Sequence, residues 1–456
     1  MHKKFKEQLE LKFKSPLWFL QAELAAIDSF LDANLHLLDV IAPCFKVANK
    51  HSKDSNDMTV EQALRIAIYQ RFKHITLDEL TIQVADSISA RAFCKISENQ
   101  YFRRSTLHKN ISKIDEETLV KLFDHIVLEA VSLGVDDGKS IRQDTTTMES
   151  EIHHPTNSAL LWDVIRKASD FTDKMAKLSV LIDVINYRKQ GKRNHFNIVN
   201  CRGTRKMSAF DKRHPLFKNQ LRILTKSINQ LQRILILKLD ENPLLDAIEK
   251  YAIENLYEEM RALIEISEKV QFMVFKKEIM KEDLSIDEKL FSIFETHTDC
   301  IVKGQRDVVF GHKVSVASGK SNLLFELELL KGNPADTKTF QNCLTRIGDK
   351  YQIIPENHVA DGGYASKENH EFASVLGIKN NVFNKIRGSM QNNVSSKRME
   401  TLLKKWRAGI EAIISNLKRR YALNRCKLKG WENNQCYVRW TGIMFNLTVI
   451  AKYILQ

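Results

Sequence analysis

Strand-forming sequence is confined to a few short places in this 456-residue chain, and the first is cut off from the rest by a long helical stretch. GKSIRQDTTTMESEI (138–152) is rich in β-branched residues and alternates. HKVSVAS (312–318) and LLFELELL (323–330), joined by GKSN, read as a β-hairpin. HVADGGYAS (358–366) is a short strand running into a glycine turn, and NNVFNK (380–385) is a further candidate. Elsewhere Gly (16) and Pro (7) are too scarce to interrupt helices often. The order strand, hairpin, strand, helix predicts a mixed α/β sheet flanked by helices, preceded by an all-helical region and interrupted by a large helical insertion.

The organisation follows from this. Residues 1–50 read as N-terminal helices, with apolar positions near a 3.6-residue period in 16–50. The polar run NKHSKDSND (49–57) reads as a linker. Residues 51–135 form a second helical domain, a helix-turn-helix or a plain bundle, in which Ser105 is a candidate N-cap. Segments 136–155 and 300–456 make the sheet-bearing core, and 156–299 is the helical insertion. The insertion divides by charge. Residues 187–239 hold 14 Lys or Arg against the single acid Asp211, whereas 240–290 hold 14 acids and seven bases and read as a helical hairpin with pairs such as Glu265–Lys269.

Lys and Arg total 70 against 56 Asp and Glu, a net +14 that favours a nucleic acid or another anionic surface as partner. Seven scattered cysteines without a C-x-x-C pair argue against a disulfide framework and suit a reducing, cytoplasmic setting. The start, MHKKFKEQLELKFKSPLWF, has no long apolar stretch, so no export signal is expected. GIMFNLTVIAKYIL is short and broken by Lys452, which predicts a packed helix and no membrane partner.

Two glycine motifs are decoys. GVDDGKS (134–140) and ASGKSN (317–322) both lack the glycine spacing of a phosphate-cradling loop. His153 and His154, adjacent on an extended chain, point to opposite faces and do not share one ion. The acids are more telling. Asp144 stands mid-strand in IRQDTTT, where sheets deplete Asp, so it marks either a metal ligand or a strand-edge turn. Asp361 ends a strand before Gly362–Gly363, where open sheets place functional groups and where ordinary Asp-Gly turns also occur. Glu411 is the one acid in WRAGIEAIISNLKRRYALNRCKLKG (406–430), among seven bases. Arg407 and Lys418 share a helical face with it, as an ion pair or as phosphate ligands. Two strand aspartates and a glutamate from a later helix can converge on two divalent cations that clamp a phosphodiester, with Mg²⁺ suited to the hard oxygens.

These residues resemble bacterial insertion-sequence transposases with a DDE triad on an RNase-H-like fold. MTVEQALRIAIYQRF and LTIQVADSISARAFCKI resemble the helical N-terminal transposase domain, and STLHKNISKIDEETLVKLFDHIVLEA the segment after it. IRQDTTTMESEIHHPTNSALLWD resembles the first-aspartate block of the ISNCY-like subgroup. VADGGYAS is similar to the second-aspartate signature, and RAGIEAIISNLK to Arg-x3-Glu-x6-Lys. Where the family often has a Tyr three residues before that Arg, this chain has Lys404. The resemblance implies Asp144, Asp361 and Glu411 as catalytic metal ligands for two Mg²⁺, with Mn²⁺ able to substitute. It implies double-stranded DNA as substrate, end cleavage followed by strand transfer, and a homodimer or larger assembly. On this reading Lys404, Arg407 and Lys418 bind DNA beside the metals. From charge, so do Arg188, Lys192, Arg193, Arg202, Arg205 and Lys206 of the insertion. A catalytically silent DNA-binding repressor of the same descent is the alternative.

Overall fold

The computed structural model describes residues 21–45, 57–178, 184–203, 208–242, 245–286, 288–303, 307–386 and 390–456. Among the described residues, seven α-helices come first: α1 (Ala22–Ala33), α2 (Leu37–Ile41), α3 (Val60–Lys73), α4 (Leu77–Asp86), α5 (Ile88–Phe93), α6 (Arg104–Ile111) and α7 (Glu116–Ser132). Strand β1 (Ser140–Ser150) follows, then α8 (Asn157–Leu178), α9 (Arg188–Val199), α10 (Ala209–Ile236), α11 (Ala247–Val274) and β2 (Asp299–Lys303). The hairpin is β3 (Asp307–Ser318) and β4 (Leu324–Leu329). After it come α12 (Asp336–Tyr351), β5 (Asn357–Asp361), α13 (Lys367–Val375), β6 (Asn380–Asn384), α14 (Lys397–Arg407), α15 (Gly409–Arg419), β7 (Arg425–Cys426) and α16 (Trp431–Ile454). Two compact units result, one of residues 1–151 and 311–456, the other of 152–310.

The first unit is built on the sheet. β1 pairs antiparallel with β3, and β3 with β4, while β5 and β6 continue from the other edge of β1 in parallel. The order β4-β3-β1-β5-β6 is the expected RNase-H-like mixed sheet. β7 pairs with the far end of β1. Most of β1 is buried, because the central strand is covered on both faces. Its parallel register with β5 sets Arg142 opposite Val359. Two residues further along each strand, the same register brings Asp144 beside Asp361 on one face.

The N-terminal helices have local reasons to start. Thr59 and Thr76 each open a helix with a reciprocal capping box, to Gln62 and Glu79. Asp115 caps α7. Ser105 does not cap: α6 begins at Arg104 after an extended Arg103 whose side chain makes no cap bond, and Ser105 falls inside the first turn. α1 is fastened to α3 by Arg65, only 1 % exposed, which binds Asp28 and Asp32 at 2.6 Å and Glu61 at 2.8 Å. The terminal helix α16 is buried over most of its length and packs against α7 and β4. Among the described residues, no helix is long and apolar enough to cross a membrane.

The two glycine decoys meet in one structural knot. Asp136, which precedes β1, accepts hydrogen bonds from the Gly138 amide and from the amide and hydroxyl of Ser321 in the β3–β4 turn. Gly319 is needed there, since a Cβ would lie 2.4 Å from the Asp136 carboxylate. All seven cysteines are free thiols.

The second unit is a helical body with its own core, including Leu161, Ile165 and Phe171 of α8, Ile223 and Leu231 of α10, and Met260 and Val270 of α11. The acidic half is one 28-residue helix where the sequence reading expects a hairpin, because no Gly or Pro interrupts Ala247–Val274. Glu265 and Lys269 do approach to 3.5 Å on its surface.

Candidate active site

The site is built where β1, β5 and the junction of α14 with α15 come together. Asp144 projects from the middle of β1 and Asp361 from the end of β5. Gly362 lets the chain turn directly after that acid. A Cβ there would lie 2.5 Å from the Asn384 carbonyl oxygen and 2.7 Å from that of Lys385, so any side chain displaces the neighbouring end of β6. Glu411 stands in the first turn of α15.

Arg407 is where these acids meet. Its Nη2 lies 2.9 Å from Asp144 Oδ2 and 3.7 Å from Asp361 Oδ1, and its Nη1 donates to Glu411 Oε1 at 3.2 Å. The three acids, spread over 268 positions of sequence, thus gather around one guanidinium. Their exposure is graded. The Asp144 side chain is 16 % exposed, Asp361 45 % and Glu411 68 %, so the cluster opens to solvent on the glutamate side. Arg407 itself is nearly enclosed, and its Nε is buried without a hydrogen-bond partner among the described residues.

Arg407 and Glu411 do not lie on one continuous helix, although their spacing predicts one. α14 ends at Arg407 and α15 starts at Gly409. Arg142, two residues before Asp144 on the same face of β1, holds this break open. Its Nε donates to Ser318 Oγ at 3.0 Å, its Nη1 to the Trp406 carbonyl at 3.0 Å, its Nη2 to Asn322, and its guanidinium lies 5.0 Å from the centre of the Trp406 ring. The Trp406 carbonyl also accepts the amide of Ala408, the C-cap of α14, and the arginine adds a second donor to it. Gly409 makes room for it: a Cβ would lie 2.2 Å from Arg142 Nη1.

Two further groups belong to the site, Tyr364 of the second-aspartate signature and Asp336, which the sequence does not mark. Asp336, the first residue of α12, accepts from Thr145 Oγ1 at 3.0 Å and pairs with Lys313 at 3.2 Å. Thr145 in turn donates its amide to Asp144 Oδ1 at 2.8 Å, so Asp336 steadies the backbone that fixes Asp144. Tyr364, of the Asp-Gly-Gly-Tyr turn, is fully buried with its hydroxyl near Asp336 and Asp144. An aspartate after Pro334 reads as an ordinary helix start, and no local pattern distinguishes it.

Burial raises the Asp144 carboxyl to about 6; Arg407 and the Thr145 amide pull it down, while Asp361 and Asp336 push it up. In the folded protein without DNA, Asp144 therefore keeps its proton to higher pH than in the unfolded chain, where it titrates near 3.8. The stability this confers is complete below about pH 4 and is lost as pH rises through about 6. Asp144→Asn is accordingly expected to stabilise the DNA-free protein by on the order of 1–3 kcal/mol at pH 7.5 and by almost nothing at pH 4. Denaturant midpoints at the two pH values measure this, and equal shifts at both would exclude the buried acid as the cause.

Three carboxylates offer only hard oxygens, the donor set Mg²⁺ takes. Among the described residues, no three His, Cys, Asp or Glu side chains close around a common point as metal ligands do. The acids instead surround a cation of the protein's own, the Arg407 guanidinium. The donor chemistry suits a divalent ion, while the acids as placed close on Arg407.

The other basic candidates are distributed as follows. Lys404 pairs with Glu400 at 2.7 Å, and Lys418 is half-buried on α15. In the second unit, Arg188 pairs with Asp170, Lys192 lies 6.0 Å from the Phe196 ring, and Arg193 and Arg202 are exposed. Arg205 and Lys206 lie outside the described residues. His153 pairs with Asp163 at 3.3 Å while His154 packs edge-on against Phe310, so the two do part company.

No curated protein and no solved structure matches the chain. Asp144 and β1 precede the span that does find a family. Residues 280–447, which hold Asp361, Arg407, Glu411 and Lys418, match the family model of the transposase DDE domain.

Proposed function

We propose that this protein is an insertion-sequence transposase that cuts DNA at the ends of its element and joins the freed 3′-OH to target DNA. The observation that carries the reading is the convergence of Asp144, Asp361 and Glu411 on one guanidinium. An ion-pair cluster that opens to solvent adds little to stability, so its assembly from three distant elements favours a functional role. They would hold two Mg²⁺, or Mn²⁺ in its place. Such a pair, when bound, stabilises the attacking and leaving oxygens of an in-line phosphodiester displacement.

The protein's own residues do the rest. Asp144, enclosed and fixed by the Thr145 amide, is the rigid member of the set. Asp361 and Glu411 face the open side by which a duplex enters. Arg407 leaves the acids for a phosphate oxygen once DNA is present, a better partner for its fork of donors. Lys418 adds charge to the same helix.

Recognition of terminal repeats falls to the N-terminal helices, where Arg103, Arg104 and Lys109 sit at the start and on the face of α6, with phosphates positioning and base edges specifying. The exposed cations and Phe196 of α9 add contacts to DNA backbone. Self-association on paired ends completes the assembly.

The test is an assay on duplexes carrying the inverted repeats that flank the gene, with Mg²⁺, read on sequencing gels for new 3′-OH ends and on transfer products. Cleavage confined to the repeats, with joining, is expected. Binding without cleavage under any divalent ion would favour the silent repressor, and cleavage without end preference a plain nuclease.

A further inference from the structure

The C-terminal ends of α3 and α15 meet at an open basin of about 630 Å³, lined by Phe72, Lys73, His74, Arg419, Arg420 and Ala422. Four of these six side chains are basic, and they come from segments nearly 350 residues apart in sequence. Arg420 pairs with Glu23 at 2.9 Å. Lys73, His74 and Arg419 form no ion pair with any described acid; Lys73 lies instead over the rings of Tyr69 and Phe72 at 5.9 Å. His74 is held in the left-handed conformation that caps α3, with its ring edge-on to Tyr421 at 6.0 Å. Burial lowers its affinity for a proton, and the charge of Arg420 lowers it further, so Lys73, Arg419 and Arg420 carry the charge of the basin.

The basin lies on the helix that carries Glu411. From Glu411 to Arg419 is eight residues, about 12 Å of helix, with Lys418 between. That length equals three to four base-pair steps of B-DNA. We propose that this basin is a docking site for the sugar–phosphate backbone of duplex DNA, gripping the strand a few base pairs from the acids. The inference rests on the transposase reading and adds a DNA-binding surface to it. α15 then measures distance along the duplex, acid at one end and anchor at the other, with the N-terminal helical region supplying Lys73 and His74. Cations at helix C-termini also complement the helix dipole. That role alone gives no dependence of DNA affinity on these side chains.

The experiment uses the full chain and a fluorescein-labelled duplex of about 30 base pairs and arbitrary sequence, followed by anisotropy from 50 to 300 mM NaCl. The test variant is Lys73→Gln/Arg419→Gln, which breaks no described ion pair; thermal unfolding checks its fold. The control is Lys367→Gln/Lys379→Gln, which removes two exposed cations elsewhere in the same unit. Each phosphate that the protein no longer neutralises lowers the slope of log affinity against log salt by about 0.9. The slope of the test variant is therefore expected to be shallower by about 1.8, with binding several tens-fold weaker near 0.1 M salt and the control unchanged. A test variant that unfolds like wild type and matches its slope and affinity overturns the inference and leaves the transposase reading standing. Saturable binding of inorganic phosphate alone, abolished in the test variant, also overturns it, because the basin is then a small-anion pocket. A wild-type protein without salt-dependent duplex binding overturns both readings together.

Discussion

Asp144→Asn, Asp361→Asn and Glu411→Gln are each expected to lower DNA end cleavage by at least about a thousandfold, on the order of 4 kcal/mol of transition-state stabilisation. Duplex affinity in the same proteins should stay within a few-fold of wild type or rise, since each change removes negative charge from a surface that meets phosphate. The three should also fail to add. Once one ligand is gone the site no longer assembles, so the double variants should be no worse than the worst single one. Burst kinetics on pre-bound duplex, with affinity measured separately by anisotropy, keep the two effects apart. Variants that lose binding and cleavage in parallel would move these acids from chemistry to folding. A single variant that cleaves normally would remove that residue from the set.

How much of this is legible in the sequence depends on whether the governing interaction is local. The strands are legible because β-branched alternation and glycine turns act over a few residues. Asp144, Asp361 and Glu411 stand out as candidates because each is anomalous in its own setting: an acid amid a strand, an acid ending one, an acid within a basic segment. The helix break between Arg407 and Glu411 leaves no such mark, since it depends on Arg142 reaching the Trp406 carbonyl from 264 positions away. Asp336 is hidden for the same reason; its partner Thr145 lies 191 positions away. Ser105 misleads because a good capping side chain does not decide where a helix starts once Leu107 and Ile111 are committed to the core. The unbroken α11 departs from the expected hairpin because an excess of acids says nothing about where a helix bends, whereas the absence of Gly and Pro does.

Arg407→Gln is expected to move metal affinity and activity in opposite directions. In the DNA-free protein the guanidinium satisfies three carboxylates at once and competes with any cation for them. Removing it leaves the acids closer to mutual repulsion, which a divalent ion relieves. Binding of Mn²⁺ alone, followed by calorimetry or by loss of the free-ion electron paramagnetic resonance signal, should tighten by about tenfold, a gain of about 1.4 kcal/mol. The shared carboxylates are only partly enclosed, so this is well below the several kcal/mol of bare Coulomb energy at such distances. Cleavage should nonetheless fall, by on the order of a hundredfold, because glutamine cannot offer a phosphate the charged, forked donor pair that Arg407 brings. Arg407→Lys separates charge from geometry: it should keep the weak metal affinity of wild type and still cleave poorly. A role confined to structure predicts lower metal affinity and lower stability together in Arg407→Gln, the reverse of the first sign. If metal binding is unchanged in both variants, the guanidinium does not hold the acids against other cations, and its place among them has no bearing on how the site is loaded.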